Sequence, residues 1–321
     1  MRTPLVLLAI LAAVTLALCV CTGTLASRAE LDFPDTGKFV EVEGLRLRYV
    51  EKGSGQPVVF LHGVYGGLED FTSTIFDDAA RHCRAIAFDR PGHGYSDRPD
   101  HGMCGPAEQA RILHKALAKL GVERPILVGF SWSGALVTSY TLQFQDDVAG
   151  LMTINGVLYE WDGITSPVTA LAGLPILGRW MAHTIALPFG LFSRESSVAN
   201  AFRPALVDPR FRGSPIALAL RPRDFLVNNQ EMRALKPSLR IASPHYGEIT
   251  VPYTIVAGTG DRVTHFDFHA VPMHRAVAGS RLVAIEGGGH QVMYSHSAQV
   301  LAALTGLLDD VARRDAASSR R

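Results

Sequence analysis

Ile126-Leu127-Val128-Gly129-Phe130-Ser131-Trp132-Ser133-Gly134 is the stretch on which the reading of this chain turns. Three apolar residues closed by glycine suit a short strand buried on both faces, and residues 135–143 read as the helix that follows. A strand-to-helix turn this tight forces its central residue, Ser131, into a strained conformation with its side chain presented outward. The flanking residues must be small so that the two backbones can approach. The duller reading of Ser131 is a helix N-cap, but an N-cap needs no buried strand immediately before it.

Outward from that turn, residues 58–61, 85–88 and 151–154 repeat the pattern of short apolar runs ending at turn residues. Helical patterns separate them. The clearest covers residues 106–120, with Pro106 in the first turn, Leu113, Leu117 and Leu120 on one face, and Gly121 as the stop. Residues 39–43 and 45–51 alternate apolar and polar positions around Gly44, which predicts a β-hairpin with one wet face. The alternation of strands and helices lapses over residues 157–246, where proline and glycine break several apolar stretches. It resumes with a strand at 253–257, a helix at 266–278, a strand at 282–285 and a helix from Ser297 to about Val311. These patterns predict an α/β fold with a mostly parallel sheet and helices on both faces. Residues 28–156 and 247–313 form its core, residues 157–246 are an inserted, mainly helical cap over the C-terminal edge of the strands, and residues 314–321 read as a solvated tail.

Of 321 residues, 47% are hydrophobic and 19% charged, which is ample for a large core. Lys plus Arg number 31 against 30 Asp plus Glu, and no basic run interleaved with aromatics occurs within the domain, so nucleic acid is excluded as a partner. Residues 1–27 differ from the rest. No charge lies between Arg2 and Arg28, and residues 5–21 are apolar apart from Thr15. As a helix, residues 5–25 would extend roughly 30 Å, comparable to the hydrocarbon core of a bilayer. This segment is read as a membrane anchor, with the catalytic domain exported. Its length exceeds the usual apolar stretch of a cleavable signal, although cleavage after Thr24-Leu25-Ala26 would give a secreted or periplasmic form. Cys19 and Cys21 lie in this segment as small hydrophobes. Cys83 and Cys104 flank opposite ends of a predicted strand, too far apart for a disulfide.

Five motifs resemble the α/β-hydrolase family in its own order along the chain. The turn around Ser131 matches the pattern G-x-S-x-G except that Ser133 stands for the second glycine, a small residue for a small one. Leu61-His62-Gly63-Val64 is similar to the family's His-Gly turn. Asp89-Arg90-Pro91-Gly92-His93-Gly94-Tyr95-Ser96-Asp97 resembles its loop before the second major helix. Gly258-Thr259-Gly260-Asp261-Arg262-Val263 resembles the acid turn, and Gly287-Gly288-Gly289-His290 the turn carrying the histidine. The resemblance covers roughly residues 39–311 and implies a serine hydrolase of the branch with an inserted cap, esterase- or lipase-like. Ser131 would be the nucleophile, His290 the general base, Asp261 the acid that orients the histidine, and the N–H groups of Val64 and Trp132 the oxyanion donors.

The chemistry accounts for these residue types. A serine hydroxyl is a poor nucleophile until an imidazole takes its proton, and the imidazole needs a carboxylate on its other nitrogen to hold the right tautomer. Asp267 is a rival acid, but it falls within a predicted helix. Glu286 is another, one residue past a strand. His62 and His93 read as hydrogen-bonded turn residues. His265 and His269 have helical metal-ligand spacing without further ligands in place, so no metal or other cofactor is expected. Serine at the elbow argues against the family's branches that form an alkyl-enzyme ester through a carboxylate. Carboxylic ester hydrolysis is the default, while carbon–carbon and amide hydrolysis use the same triad. A non-catalytic binding module would be marked by an incomplete triad. The apolar stretch at 168–192 is interrupted by Arg179, His183, Pro175 and Pro188, which argues against a second membrane span. It reads as the cap's own core and one wall of the pocket, or as a lid admitting lipid-like esters.

Overall fold

Each buried apolar run becomes one strand, and eight strands form a single sheet ordered β1-β2-β4-β3-β5-β6-β7-β8. The computed structural model describes residues 2–98, 105–163 and 166–318. The strands are β1 (Lys38–Val42), β2 (Leu45–Lys52), β3 (Pro57–Leu61), β4 (Arg84–Phe88), β5 (Ile126–Phe130), β6 (Gly150–Ile154), β7 (Tyr253–Gly258) and β8 (Arg281–Ile285). β1 and β2 form the antiparallel hairpin, β2 lies antiparallel to β4, and every other neighbour pair is parallel. The five residues of β5 and of β6 are all buried, as strands covered by helices on both faces must be. The hairpin departs from strict alternation at Arg48, which is buried because Asp35, Glu69 and Asp89 surround its guanidinium.

An N-terminal helix α1 (Arg2–Asp32) precedes the sheet. Short helices α2 (Glu69–Thr72) and α3 (Phe76–Ala79) follow β3, α4 (Pro106–Lys119) follows β4, and α5 (Ser133–Gln143) follows β5. Between β6 and β7 run α6 (Pro167–Ala172), α7 (Pro175–Thr184), α8 (Ala186–Phe192), α9 (Arg194–Phe202), α10 (Ile216–Ala219) and α11 (Pro222–Ala242). The chain closes with α12 (Phe266–Ala276), α13 (Val292–Ser295) and α14 (Ser297–Ser318). The stretch at 168–192 is thus three short helices; Pro175 opens α7, and Pro188 lies in the first turn of α8, where its missing N–H has no intrahelical partner to lose.

Two boundaries differ from the sequence reading. The N-terminal helix does not stop at Ser27, because Ala29 is buried and Glu30 pairs with Arg221 at 2.7 Å. Helix α14 continues through residues 314–318, the start of the expected tail. There Arg314 reaches Thr250 O at 2.8 Å and Asp315 pairs with Arg124 at 3.0 Å. Cys104, the expected non-partner of Cys83, lies outside the described residues, and Cys83 is buried.

The segment between β6 and β7 is held in two ways. Ala172, Met181, Ala182 and Phe225 make a small apolar core of their own. Leu235, Leu239 and Tyr246 instead join the main core beside the sheet. Under this junction lies a buried ion pair. Arg90, with no exposure, puts its Nη1 2.9 Å from both carboxylate oxygens of Glu231 on α11, and Gln109 completes the cluster. Burial pushes Glu231 up to about 7, against the attraction of Arg90. Removing one partner leaves a desolvated charge behind. Glu231→Ala should therefore lower stability by about 3–5 kcal/mol in denaturant unfolding, and an Arg90→Met/Glu231→Leu pair should recover much of that loss.

Candidate active site

The turn after β5 is built as its residue sizes require. Ser131 has φ 53°, in the left-handed region that a non-glycine residue occupies only under constraint. A side chain at Gly129 would begin 2.3 Å from Ser133 O, and one at Gly134 would begin 2.7 Å from the Cα of Gly156. Ser133, in the place of the usual glycine, is buried, and its hydroxyl donates to His62 O at 2.5 Å. The substitution therefore adds a tie between the elbow and the His-Gly turn.

Three distant loops meet at that serine. His290 Nε2 lies 3.0 Å from Ser131 Oγ, and His290 Nδ1 lies 2.8 Å from Asp261 Oδ2. Asp261 is nearly buried, yet three donors besides the imidazole converge on its carboxylate. Val263 N–H donates at 2.7 Å, Thr264 N–H at 3.0 Å and Thr264 Oγ1 at 2.6 Å. Burial alone would raise its pKa, but His290 and these donors outweigh it and hold Asp261 at about 2. The sign follows for stability: this contribution is fully present above the unfolded value of 3.8 and is lost as pH falls through about 2.

The backbone N–H groups of Val64 and Trp132 donate to no acceptor among the described residues. Val64 lines the cavity that also exposes Ser131 and His290. Trp132 is fully buried, with the Arg90 guanidinium 4.2 Å from its ring. The same guanidinium donates to His62 O at 3.1 Å and Gly63 O at 3.2 Å, so one cation braces both turns from below. The cavity holds about 400 Å³. Its floor is Ser131, His290, Val64 and Phe130, and its walls come from α8, α9 and α10.

The rival residues stand elsewhere. Asp267 and Glu286 are exposed at the surface, and His265 is exposed while His269 is buried. His269 Nδ1 accepts from the N–H groups of Leu158 and Tyr159, both at 3.2 Å, and burial pushes its pKa down to about 4. His62 and His93 are buried with pKa values pushed well below the ordinary range, and both are engaged by neighbouring main-chain groups. Among the described residues no group of three His, Cys, Asp or Glu is placed to hold a metal ion.

Sequence reasoning missed Asn155. It follows β6 with φ 46°, accepts from Gly258 N–H at 2.8 Å and donates to Gly289 O at 3.0 Å and His290 O at 2.8 Å. One amide thus ties the acid turn to the histidine turn. An asparagine directly after a buried strand was the available signal, but its partners lie more than a hundred residues away. Asp70 was also missed. It lines the cavity beside Val64, and burial raises it to about 7.

A mostly parallel sheet with helices on both faces, and a serine-centred site at the C-terminal ends of its strands, define the class. Residues 56–297 match the family described as alpha/beta hydrolase fold, and the chain belongs to that family. An uncharacterized protein of Mycobacterium tuberculosis is 28% identical over 273 residues, covering 80% of this chain and 76% of the relative. A proline iminopeptidase of Saccharolobus solfataricus is 26% identical over 295 residues, covering 82% and 88%. Among solved structures, an esterase from Exiguobacterium antarcticum superposes with a TM-score of 0.69 at 24% identity. That match covers 85% of this chain and all of the other. Hydrolysis of a small molecule is the coarse activity that family membership supports.

The strain at Ser131 is measurable apart from any reaction. Ser131→Gly should stay within about 1 kcal/mol of wild type in thermal unfolding, since relief of the left-handed conformation offsets the lost hydrogen bond. Ser131→Val, equally without a hydroxyl, should be destabilised by at least a further ~1–2 kcal/mol because a β-branched residue at this φ is strained.

Proposed function

We propose that this protein hydrolyses carboxylic esters through an acyl-enzyme formed on Ser131. The observation that carries the reading is the unbroken chain Ser131 Oγ, His290, Asp261, with successive contacts of 3.0 and 2.8 Å. His290 takes the hydroxyl proton as Ser131 attacks the carbonyl carbon, and Asp261 holds the tautomer that leaves Nε2 free to accept it. The unengaged N–H groups of Val64 and Trp132 then receive the developing oxyanion. His290 returns the proton to the leaving alcohol, and water repeats the sequence to release the acid.

Residues 157–246 act as the cap in this reading, because α8, α9 and α10 wall the cavity over Ser131. The substrate is a small-molecule ester with an apolar, lipid-like acyl group, since Phe130, Val198, Phe211, Ile216 and Leu218 face that cavity. The helix α1 is long and apolar enough to cross a membrane. It anchors the protein there, with the catalytic domain on the exported side. Amide and carbon–carbon hydrolysis use the same residues and are separated by substrate trials.

Ser131→Ala and His290→Ala should each lower kcat by about 10⁴-fold or more in a folded protein, and Asp261→Asn by somewhat less. A fluorophosphonate probe should label wild type and not Ser131→Ala. Rates should survive exhaustive chelation. Near wild-type turnover by Ser131→Ala on model esters would sink the assignment.

A further inference from the structure

Helix α1 is apolar on all sides for part of its length and docked for the rest. Residues 5–14 are exposed throughout. From Thr15 onward one stripe turns away from solvent: Thr15, Leu18, Cys19, Thr22, Leu25, Ala26 and Ala29 are shaded or buried, at helical spacing. That stripe packs against α7, α8 and α10. Thr22 Oγ1 donates to Thr184 O at the end of α7 at 2.7 Å, and Glu30 pairs with Arg221 at 2.7 Å.

The lengths then conflict with a cap standing clear of the membrane. The freely exposed part, residues 5–14, extends only ~15 Å, about half the hydrocarbon thickness. A span of about 30 Å measured from Leu5 ends near Leu25, so half of it lies alongside the cap. The cap surface bordering α1 is suited to this. Ile176 and Trp180 on α7, and Phe189 and Phe192 on α8, are exposed, Ile176 and Phe192 by almost nine-tenths. Residues 166–192 contain no acid, and besides His183 their one basic residue is Arg179, which is exposed beside Trp180. An exposed tryptophan next to a long cationic side chain suits the level of the headgroups.

We propose that the outer face of α7 and α8 is a bilayer-docking surface, sunk into the lipid to a depth set by the docked half of α1. The pocket would then draw its ester from the lipid phase. The inference rests on the ester reading for its substrate but not for its docking. Helix α8 connects the two: Phe189 and Phe192 face outward while Gly190 lines the cavity, and Leu218 and Ala219 of α10, beside α1, line it as well.

Two measurements on the full-length protein in phosphatidylcholine vesicles test it. In a Trp161→Phe background, brominated phosphatidylcholine should quench Trp180 emission, and the quenching should vanish when Trp180→Phe is added. Ile176→Asp/Phe192→Asp should slow hydrolysis of a vesicle-embedded long-chain p-nitrophenyl ester by roughly tenfold or more, leaving soluble p-nitrophenyl acetate unaffected. Absence of quenching, or an equal fall on both substrates, would overturn the proposal. A dimer that the two aspartates dissociate would overturn it too, because the face would then belong to a second copy of the chain. Quenching without turnover of any ester would leave the docking in place and refute the ester reading instead.

Discussion

One buried guanidinium holds together the parts on which the site depends. Arg90 lies under the two turns that carry the proposed oxyanion donors, donating to the carbonyls of His62 and Gly63 and lying over the ring of Trp132. Its remaining nitrogen meets Glu231 and Gln109. A charge with no access to water tolerates little displacement, because every lost partner leaves a desolvated donor. The His-Gly turn, the elbow and α11 are therefore fixed relative to one another by the same electrostatic requirement. The elbow can remain strained at Ser131 because its surroundings leave the turn no cheaper conformation.

A second polar tie does for the other side of the site what Arg90 does for the first. Asn155 binds the acid turn to the histidine turn through both ends of its amide, and the Asp261 carboxylate is filled by donors from its own loop. The histidine turn is also held from outside the sheet, since His290 N–H donates to Ala201 O on α9 at 2.8 Å. The segment between β6 and β7 is thus part of the support for the imidazole as well as a wall of the cavity. Changes in that segment would be felt at His290 directly, through the backbone.

The chain of contacts extends beyond this segment to the N-terminal helix. Arg221, at the start of α11, pairs with Asp224 on one side and Glu30 on the other, and Tyr95 donates to Phe33 O just past α1. Short ion pairs and hydrogen bonds, anchored on the buried Arg221, thereby set where the apolar helix leaves the body of the protein. Its position relative to the pocket is consequently a property of the fold and not of a loose tether.

Local signals in the sequence carried the strands and the elbow, and they marked Ser131, Asp261, His290, Val64 and Trp132 as the residues that the proposed reading uses. Buried parallel strands impose continuous apolar runs, and a strand-to-helix turn this tight admits only small neighbours, so both leave marks readable within ten residues. Asn155, Asp70 and the Arg90–Glu231 pair left no such mark. Their meaning lies in partners brought close by the sheet, 141 residues apart for Arg90 and Glu231. Helices α1 and α14 run on past residues 27 and 311 for the same reason, since Glu30 and Asp315 gain partners in Arg221 and Arg124 that lie far off in the chain. What the sequence determined by itself was local geometry and chemical type. What only the tertiary structure decided was which polar groups share a buried site, because the energy of such groups depends on distance and exclusion of water, neither of which is written in the order of the residues.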